Sequence, residues 1–197
     1  MISTSTWHTV AGIAFGVCWG AFLVVWIVGA LYNARRGPAV RTRTMGNLRW
    51  VIGVAAVWAV LRLVPGSDWD RLSLHTSWIR LPGLVLLVAA TAFTIWARFS
   101  LGTMWSSNVV AKEGHQLRTD GPYGIVRHPI YAGLLGMLLG SAMLDGFGVW
   151  TLALVGGGAM VLLKVRAEEG LMGNIFPGDY ERYRRRVPAL IPSLRRR

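Results

Sequence analysis

The sequence is poor in cysteine, in acid and in charge altogether. Its 197 residues include a single cysteine, Cys18, and nine acidic residues against 21 lysines and arginines. One thiol excludes an intramolecular disulfide and a cysteine-rich metal centre, and it leaves the redox compartment unread. Charged residues make up 15% of the chain and hydrophobic ones 53%, a balance that excludes an ordinary water-soluble domain. No basic residue precedes the first apolar run, and that run is too long for a signal core, so a retained first span is expected rather than a cleaved leader. The GxGxxG, P-loop, HExxH and CxxC signatures are also missing. The common nucleotide and metal devices of soluble enzymes are thereby excluded, and no metal is expected.

What is present is hydrophobic length. A hydrocarbon core of about 30 Å needs about 20 mostly apolar residues in a helix, and five segments answer to that description, near 8–32, 47–64, 79–101, 129–144 and 147–167. The expected fold is all-α: an integral membrane helical bundle of about five transmembrane helices with a cytoplasmic carboxy-terminal helical segment. Three spans fall in 1–101, and the remaining two lie with the long polar segments in 102–197. The second and fourth spans are short, with Arg49 and Arg62 placed to snorkel at the ends of the second. Only "LDGFG" separates the last two, which predicts a tight antiparallel hairpin.

Alternating the loops between two sides gathers Arg35, Arg36, Arg41, Arg43, Arg49, Arg98, Lys112, Arg118, Arg127 and the basic carboxy-terminal tail on one side. The other side keeps Asp68, Asp70, Arg71, Arg80 and Asp145. The crowded side is cytoplasmic by the positive-inside rule, so the amino terminus faces outward and the carboxy terminus inward. This distribution accounts for the formal charge of +12 without nucleic acid as a partner. Richness in Arg, Ala and Gly together with compact length points to a bacterial inner membrane. Glycines at 12, 16 and 20 let helices approach closely, within the monomer or, as the alternative, across a homodimer seam. "GMLLG" at 136–140 and "GGG" at 156–158 predict tight packing between the last two spans.

Three polar clusters lie where they could serve chemistry. The first, "GPYGIVRHPIYAG" at 121–133, crowds Tyr123, Arg127, His128 and Tyr131 into nine residues. Gly121 and Gly124 allow unusual backbone angles beside Pro122, and Pro129 suits the first turn of a helix. Such a corner suits an anionic or heterocyclic ligand; an interfacial belt of aromatics and arginines explains it about as well. The second, "KVRAEEG" at 164–170, sets Lys164 and Glu168 one turn apart on one face. That spacing describes a solvated salt bridge, but charges at a membrane boundary are costly unless they face a cavity or each other. The third, "FPGDYERYRRRVPALIPSL", places Tyr180 and Tyr183 on one helical flank. It reads either as a basic segment on anionic membrane lipids or as a stretch folding back to roof a site.

These clusters, with "LGTMWSSNVV" and "GHQLRTDG" before them, resemble the isoprenylcysteine carboxyl methyltransferases, their prokaryotic relatives and the related phospholipid methyltransferases. The resemblance covers about residues 98–192, and the first three spans share only hydrophobicity with it. It implies an S-adenosylmethionine-dependent membrane methyltransferase with its cofactor pocket on the cytoplasmic side, formed within 102–197 by the last two spans and the carboxy-terminal segment. It carries cofactor contacts onto Asn108, His115, Gln116, Leu117, Arg118, Tyr123, His128, Pro129, Ile130, Tyr131 and Glu168. Where the prenylcysteine enzymes have an arginine that binds the substrate carboxylate, four residues before that acid, this chain has Lys164. A lysine offers a point charge where arginine offers a two-pronged fork, so the acceptor is left open among a prenylcysteine-like carboxylate, a small thiol, a hydroxyl and a phospholipid amine. Glu168 and Lys164 are the residues expected to carry catalysis, Lys164 by binding the acceptor. Two other readings stand beside this one. Membrane sterol reductases using NADPH share the carboxy-terminal resemblance, and a membrane scaffold would keep the fold without turnover.

Overall fold

The computed structural model describes residues 4–36, 40–43, 77–102, 110–112 and 117–192. In chain order these form α1 (Thr4–Arg36), β1 (Val40–Arg43), α2 (Ser77–Leu101), β2 (Val110–Lys112), the single turn α3 (Pro122–Ile125), α4 (Pro129–Asp145), α5 (Trp150–Ile175) and α6 (Asp179–Arg186). Helices α1, α2 and α5 are long and apolar enough to cross a membrane. Helix α4, with 17 residues, rises only about 25 Å at 1.5 Å per residue. Four of the five expected spans are thus helices, and the one over 47–64 lies outside the described residues. The architecture is the expected helical membrane bundle.

Two details differ from the sequence reading. Strands β1 and β2 pair antiparallel, Val40 with Lys112 and Arg43 with Val110, so a small ribbon joins two loops that charge had assigned to the same side. Helix α5 runs to residue 175 rather than 167, because the Ala, Glu, Leu and Met of "RAEEGLM" are strong helix formers whether or not lipid surrounds them. Hydropathy marks where lipid ends, and propensity decides where the helix does.

The closest helix contact is between α2 and α4, and glycine makes it possible. A Cβ on Gly140 would stand 2.7 Å from the Leu87 amide nitrogen and 2.8 Å from the Gly83 carbonyl oxygen, one on Gly136 would stand 2.9 Å from Ala90 Cβ, and one on Gly133 would overlap the Thr94 hydroxyl. Gly133, Gly136 and Gly140 recur at three and four residues, one face of a helix. The complementary face of α2 carries Gly83, Leu87, Ala90 and Thr94. This corrects the expectation that "GMLLG" seats the last two spans on each other: it seats α4 on α2. Toward α4, Gly157 of α5 faces only the flexible end of Leu138, and Gly158 meets nothing. Among the described residues nothing approaches within 4 Å of a Cβ built at Gly12, Gly16 or Gly20, so the expected use of that stripe within the monomer is not seen there.

The core fills the trough between α1, α2 and α4 with Cys18, Leu87, Ala90, Met137 and Leu144, flanked by Phe15, Trp19 and Phe22. Its polar groups are satisfied locally. Thr91 and Thr94 donate to the carbonyls of Leu87 and Ala90, each at 2.7 Å, and Trp19 Nε1 donates to Ser141 Oγ at 3.2 Å, which avoids the cost of an unpaired polar group in an apolar setting. At the far end of α2 the buried Arg98 packs over Gly29 of α1 and donates to the Gly102 carbonyl at 3.1 Å. Residues Gly146, Phe147 and Gly148 all have positive φ (99°, 69° and 32°), which turns the chain abruptly from α4 into α5. The hairpin returns α5 antiparallel, and its residues 164–169 arrive beside the start of α4.

Candidate active site

The site begins with a backbone corner. Gly121 has φ 56°, a left-handed conformation that favours glycine, and Pro122 follows with its φ already set for a helical turn. The turn closes through Tyr123 N–H to the Asp120 carbonyl (3.1 Å) and Gly124 N–H to the Gly121 carbonyl (3.0 Å). Val126 is extended, His128 caps α4, and Pro129 occupies the first helical position. Pro122, Tyr123, Val126, His128 and Pro129 are all buried.

Two carboxylates from α5 face this corner. His128 Nδ1 lies 3.3 Å from Glu168 Oε2 and its Nε2 lies 3.4 Å from Glu169 Oε1. The Tyr131 hydroxyl, one turn into α4, donates to Glu168 Oε1. Lys164, one turn before Glu168, carries its ammonium 5.9 Å from the centre of the Tyr131 ring. Arg127 reaches Glu169 Oε1 with both Nε (3.0 Å) and NH2 (2.5 Å). An imidazole can donate to a carboxylate from each of its two nitrogens only when the ring is protonated, so this setting favours the protonated form. Burial disfavours that charge, but the hydrogen bonds to Glu168 and Glu169 outweigh it and hold the His128 pKa above its ordinary value. The two carboxylates thus bias His128 toward its charged form.

The carboxy-terminal segment roofs the corner. Tyr180 and Tyr183, on the inner flank of α6, are both buried, and Tyr183 donates to the Tyr123 carbonyl at 2.6 Å. Burial pushes the Tyr180 phenol up to about 12 and raises those of Tyr123 and Tyr183 as well, so all three stay neutral at physiological pH. Beyond α6 the chain runs alongside the corner, where Arg127 N–H donates to the Pro188 carbonyl (2.8 Å) and His128 N–H to that of Ala189 (3.0 Å).

The structure therefore brings together Tyr123, His128, Pro129, Ile130, Tyr131, Lys164 and Glu168 from the sequence-predicted set. Leu117 and Arg118 lie on the approach to α3, with Arg118 NH1 4.0 Å from Asp120. Asn108, His115 and Gln116 lie outside the described residues. Sequence reasoning gave Glu169 no structural part, and it offered the strap at 187–189 only within a longer segment that could fold back to roof a site. The adjacent acids and the Arg-His pair were the available signal: two acids in sequence on one helix, opposite two cations in sequence on another, can pair in register.

Comparison with known proteins bears on the family and the fold. The sequence profile of the isoprenylcysteine carboxyl methyltransferase (ICMT) family matches residues 83–173, from the second turn of α2 to the last turn of α5. Over that segment, a little under half of its length, the chain is similar to the isoprenylcysteine carboxyl methyltransferase family. A protein-S-isoprenylcysteine O-methyltransferase of Schizosaccharomyces pombe is 38% identical over 105 residues, 50% of this chain and 43% of that protein. Methanethiol S-methyltransferase 2 of Bradyrhizobium diazoefficiens is 40% identical over 82 residues, 41% of this chain and 30% of that protein. The solved structure of a eukaryotic intramembrane Ras methyltransferase, itself an isoprenylcysteine carboxyl methyltransferase, superposes with a TM-score of 0.56 at 18% identity, over 76% of this chain and 54% of that one. The chain spans about half or less of the length of these relatives. The fold is that of the family, and the family profile ends at residue 173, before α6 and the strap begin.

Proposed function

We propose that this corner binds S-adenosylmethionine and that the protein transfers the methyl group to a lipophilic or small acceptor at the membrane boundary. The observation that carries the reading is the unequal treatment of the two acids. Glu169 is spent on Arg127 and His128. Glu168 takes one bond on each oxygen, keeps lone pairs to spare, and is 28% exposed against 17% for Glu169. A donor with an amino group, ribose hydroxyls and a positive sulfur needs an accessible acceptor in a negative potential, and Glu168 fits. The donor, when bound, supplies an electrophilic methyl group for in-line displacement.

The chain's own residues bind, orient and exclude water. Tyr131 and His128 fix the Glu168 rotamer, and the Tyr123 turn under α6 closes the side away from lipid. Lys164 stands one turn from Glu168, where it can steer an anionic acceptor toward the donor. With both ring nitrogens facing carboxylates, His128 has no free nitrogen to take a proton from the acceptor, so the arrangement suits an acceptor that arrives as an anion, such as a carboxylate or thiolate. Two relatives named as methyltransferases, one acting on oxygen and one on sulfur, support methyl transfer over NADPH reduction. The site is assigned to the cytoplasmic side on the strength of the loop charges.

The test is calorimetric. Purified protein in detergent is expected to bind S-adenosylmethionine and not NADPH, and Glu168→Ala is expected to lower that affinity by about ten- to a hundredfold, the loss of a charged hydrogen-bonding group at about 1.5–3 kcal/mol. Undiminished affinity in a folded Glu168→Ala variant would remove Glu168 from the site. Binding of neither cofactor by the helical wild type would favour the scaffold reading.

A further inference from the structure

The strap at 184–189 touches the corner through one residue above all others. Arg127 NH1 donates to the Val187 carbonyl at 2.5 Å and to that of Arg184 at 3.1 Å. Its main-chain N–H donates to Pro188, as that of His128 does to Ala189. The rest of the same guanidinium is committed to Glu169, and only 9% of the Arg127 side chain is exposed. One buried cation therefore ties α5, the approach to α4 and the strap to one another. Arg184 Nε stands 3.9 Å from the second Glu169 oxygen, which adds a weaker contact from the strap side. Neither Arg127 nor Glu169 has a place in the donor-binding set above, and the strap lies beyond the family profile.

We propose that Arg127 and Glu169 form a latch that holds the 184–189 strap against the His128 corner, and that both are positioning residues for the methyl-transfer site. The first half of this stands on geometry alone, and the second rests on the functional reading above. The physical reason is the linkage of three elements through one ion pair. Removing Arg127 leaves the largely covered Glu169 carboxylate, 17% exposed, without its main cation, and an unpaired charge in such a setting costs more than the pair contributes in isolation. With Arg127 gone, the Val187 and Arg184 carbonyls lose their donor and Glu169 keeps only His128 and the distant Arg184. With Glu169 neutral, Arg127 can still hold the strap, but His128 loses one of the carboxylates that sustain its charge. The groups facing His128 are Glu168 and Glu169 from α5 and Tyr131 from α4, with Arg127 beside Glu169; the two substitutions therefore separate anchoring from electrostatics.

The experiment uses the full-length protein in detergent. Limited trypsinolysis, read by mass, follows cleavage at Arg184, Arg185 and Arg186, which requires the strap to leave the corner. Arg127→Met is expected to speed that cleavage by about tenfold or more, Arg127→Lys to restore part of the protection, and Arg182→Gln, an exposed residue paired with Asp179, to leave the remaining sites unchanged. Glu169→Gln is expected to keep most of the protection but to lower the His128 titration midpoint seen by NMR, and to move the alkaline limb of S-adenosylmethionine affinity to lower pH. A purely structural role would weaken affinity without moving that limb. Unchanged cleavage in folded Arg127→Met, or in Arg127→Gln where the methionine variant does not fold, overturns the latch, and an unshifted His128 titration in Glu169→Gln overturns its positioning role. If the wild type binds no S-adenosylmethionine, the functional reading falls, while proteolysis and the histidine titration still decide the latch.

Discussion

His128 concentrates the electrostatics of the molecule in one ring. Its folded pKa is raised above the unfolded value of about 6.5, burial opposing the shift and the hydrogen bonds to Glu168 and Glu169 driving it. A group shifted upward contributes stability that is complete below the unfolded value and drains away as pH rises through the folded one. The thermal midpoint in detergent is accordingly expected to fall from neutral into alkaline pH. His128→Gln, with no proton to lose, is expected to be less stable than the wild type near pH 6 and to show a flatter profile. A wild-type midpoint constant over that range would contradict the doubly bonded imidazolium. The sequence made His128, Tyr131 and Glu168 legible because motif and spacing singled out each. It did not make Glu169 legible as a partner of both Arg127 and His128, since which of two adjacent acids turns toward which cation depends on how α4 and α5 are rotated in the hairpin.

At the scale of elements, the molecule is organised by where its glycines let backbones meet. The α2–α4 contact is held at Gly140 by main-chain atoms, which cannot move aside as a flexible side chain can. Gly140→Ala is therefore expected to destabilise the protein by about 1–3 kcal/mol, the usual range for overpacking. Gly158→Ala on α5, where a Cβ meets nothing, is expected to be neutral or to gain up to about 1 kcal/mol from helix propensity. Thermal unfolding of the two variants side by side checks the contrast; equal effects would mean that α2 and α4 are not in such close register. Helix existence was readable from hydrophobic length alone. Partner choice was not, because "GMLLG" has the same small-residue pattern whichever neighbour it faces, and the matching α2 stripe, Gly83, Leu87, Ala90 and Thr94, is only partly made of small residues. The β1–β2 ribbon escaped notice because two short polar stretches far apart in sequence carry no local sign that they pair.

At the scale of the whole molecule, most of the charged side chains among the described residues gather at one end of the bundle. The carboxy-terminal ends of α1 and α2 meet there through Gly29 and Arg98, Gly121 lies near Trp96 and Ser100 of α2, and α5 brings Lys164, Glu168 and Glu169 to the same level under α6. The opposite end offers the tight turn at 146–148, where Trp150 Nε1 donates to Asp145 Oδ2 at 2.9 Å. The site thus faces one aqueous compartment, and a soluble donor has to reach it from that side. The positive-inside reading of the loop charges leads us to propose that this side is the cytoplasm. In sealed inside-out vesicles, a cysteine placed at the exposed Arg185 of a Cys18→Ser protein is expected to react with a membrane-impermeant maleimide, and one placed at the exposed Thr6 is expected to react only after permeabilisation. Cys18 itself is buried, so its removal clears background without touching the site. The reverse pattern would put the corner on the outside, away from any cytoplasmic pool of methyl donor, and would count against methyl transfer by the same measurement that fixes topology.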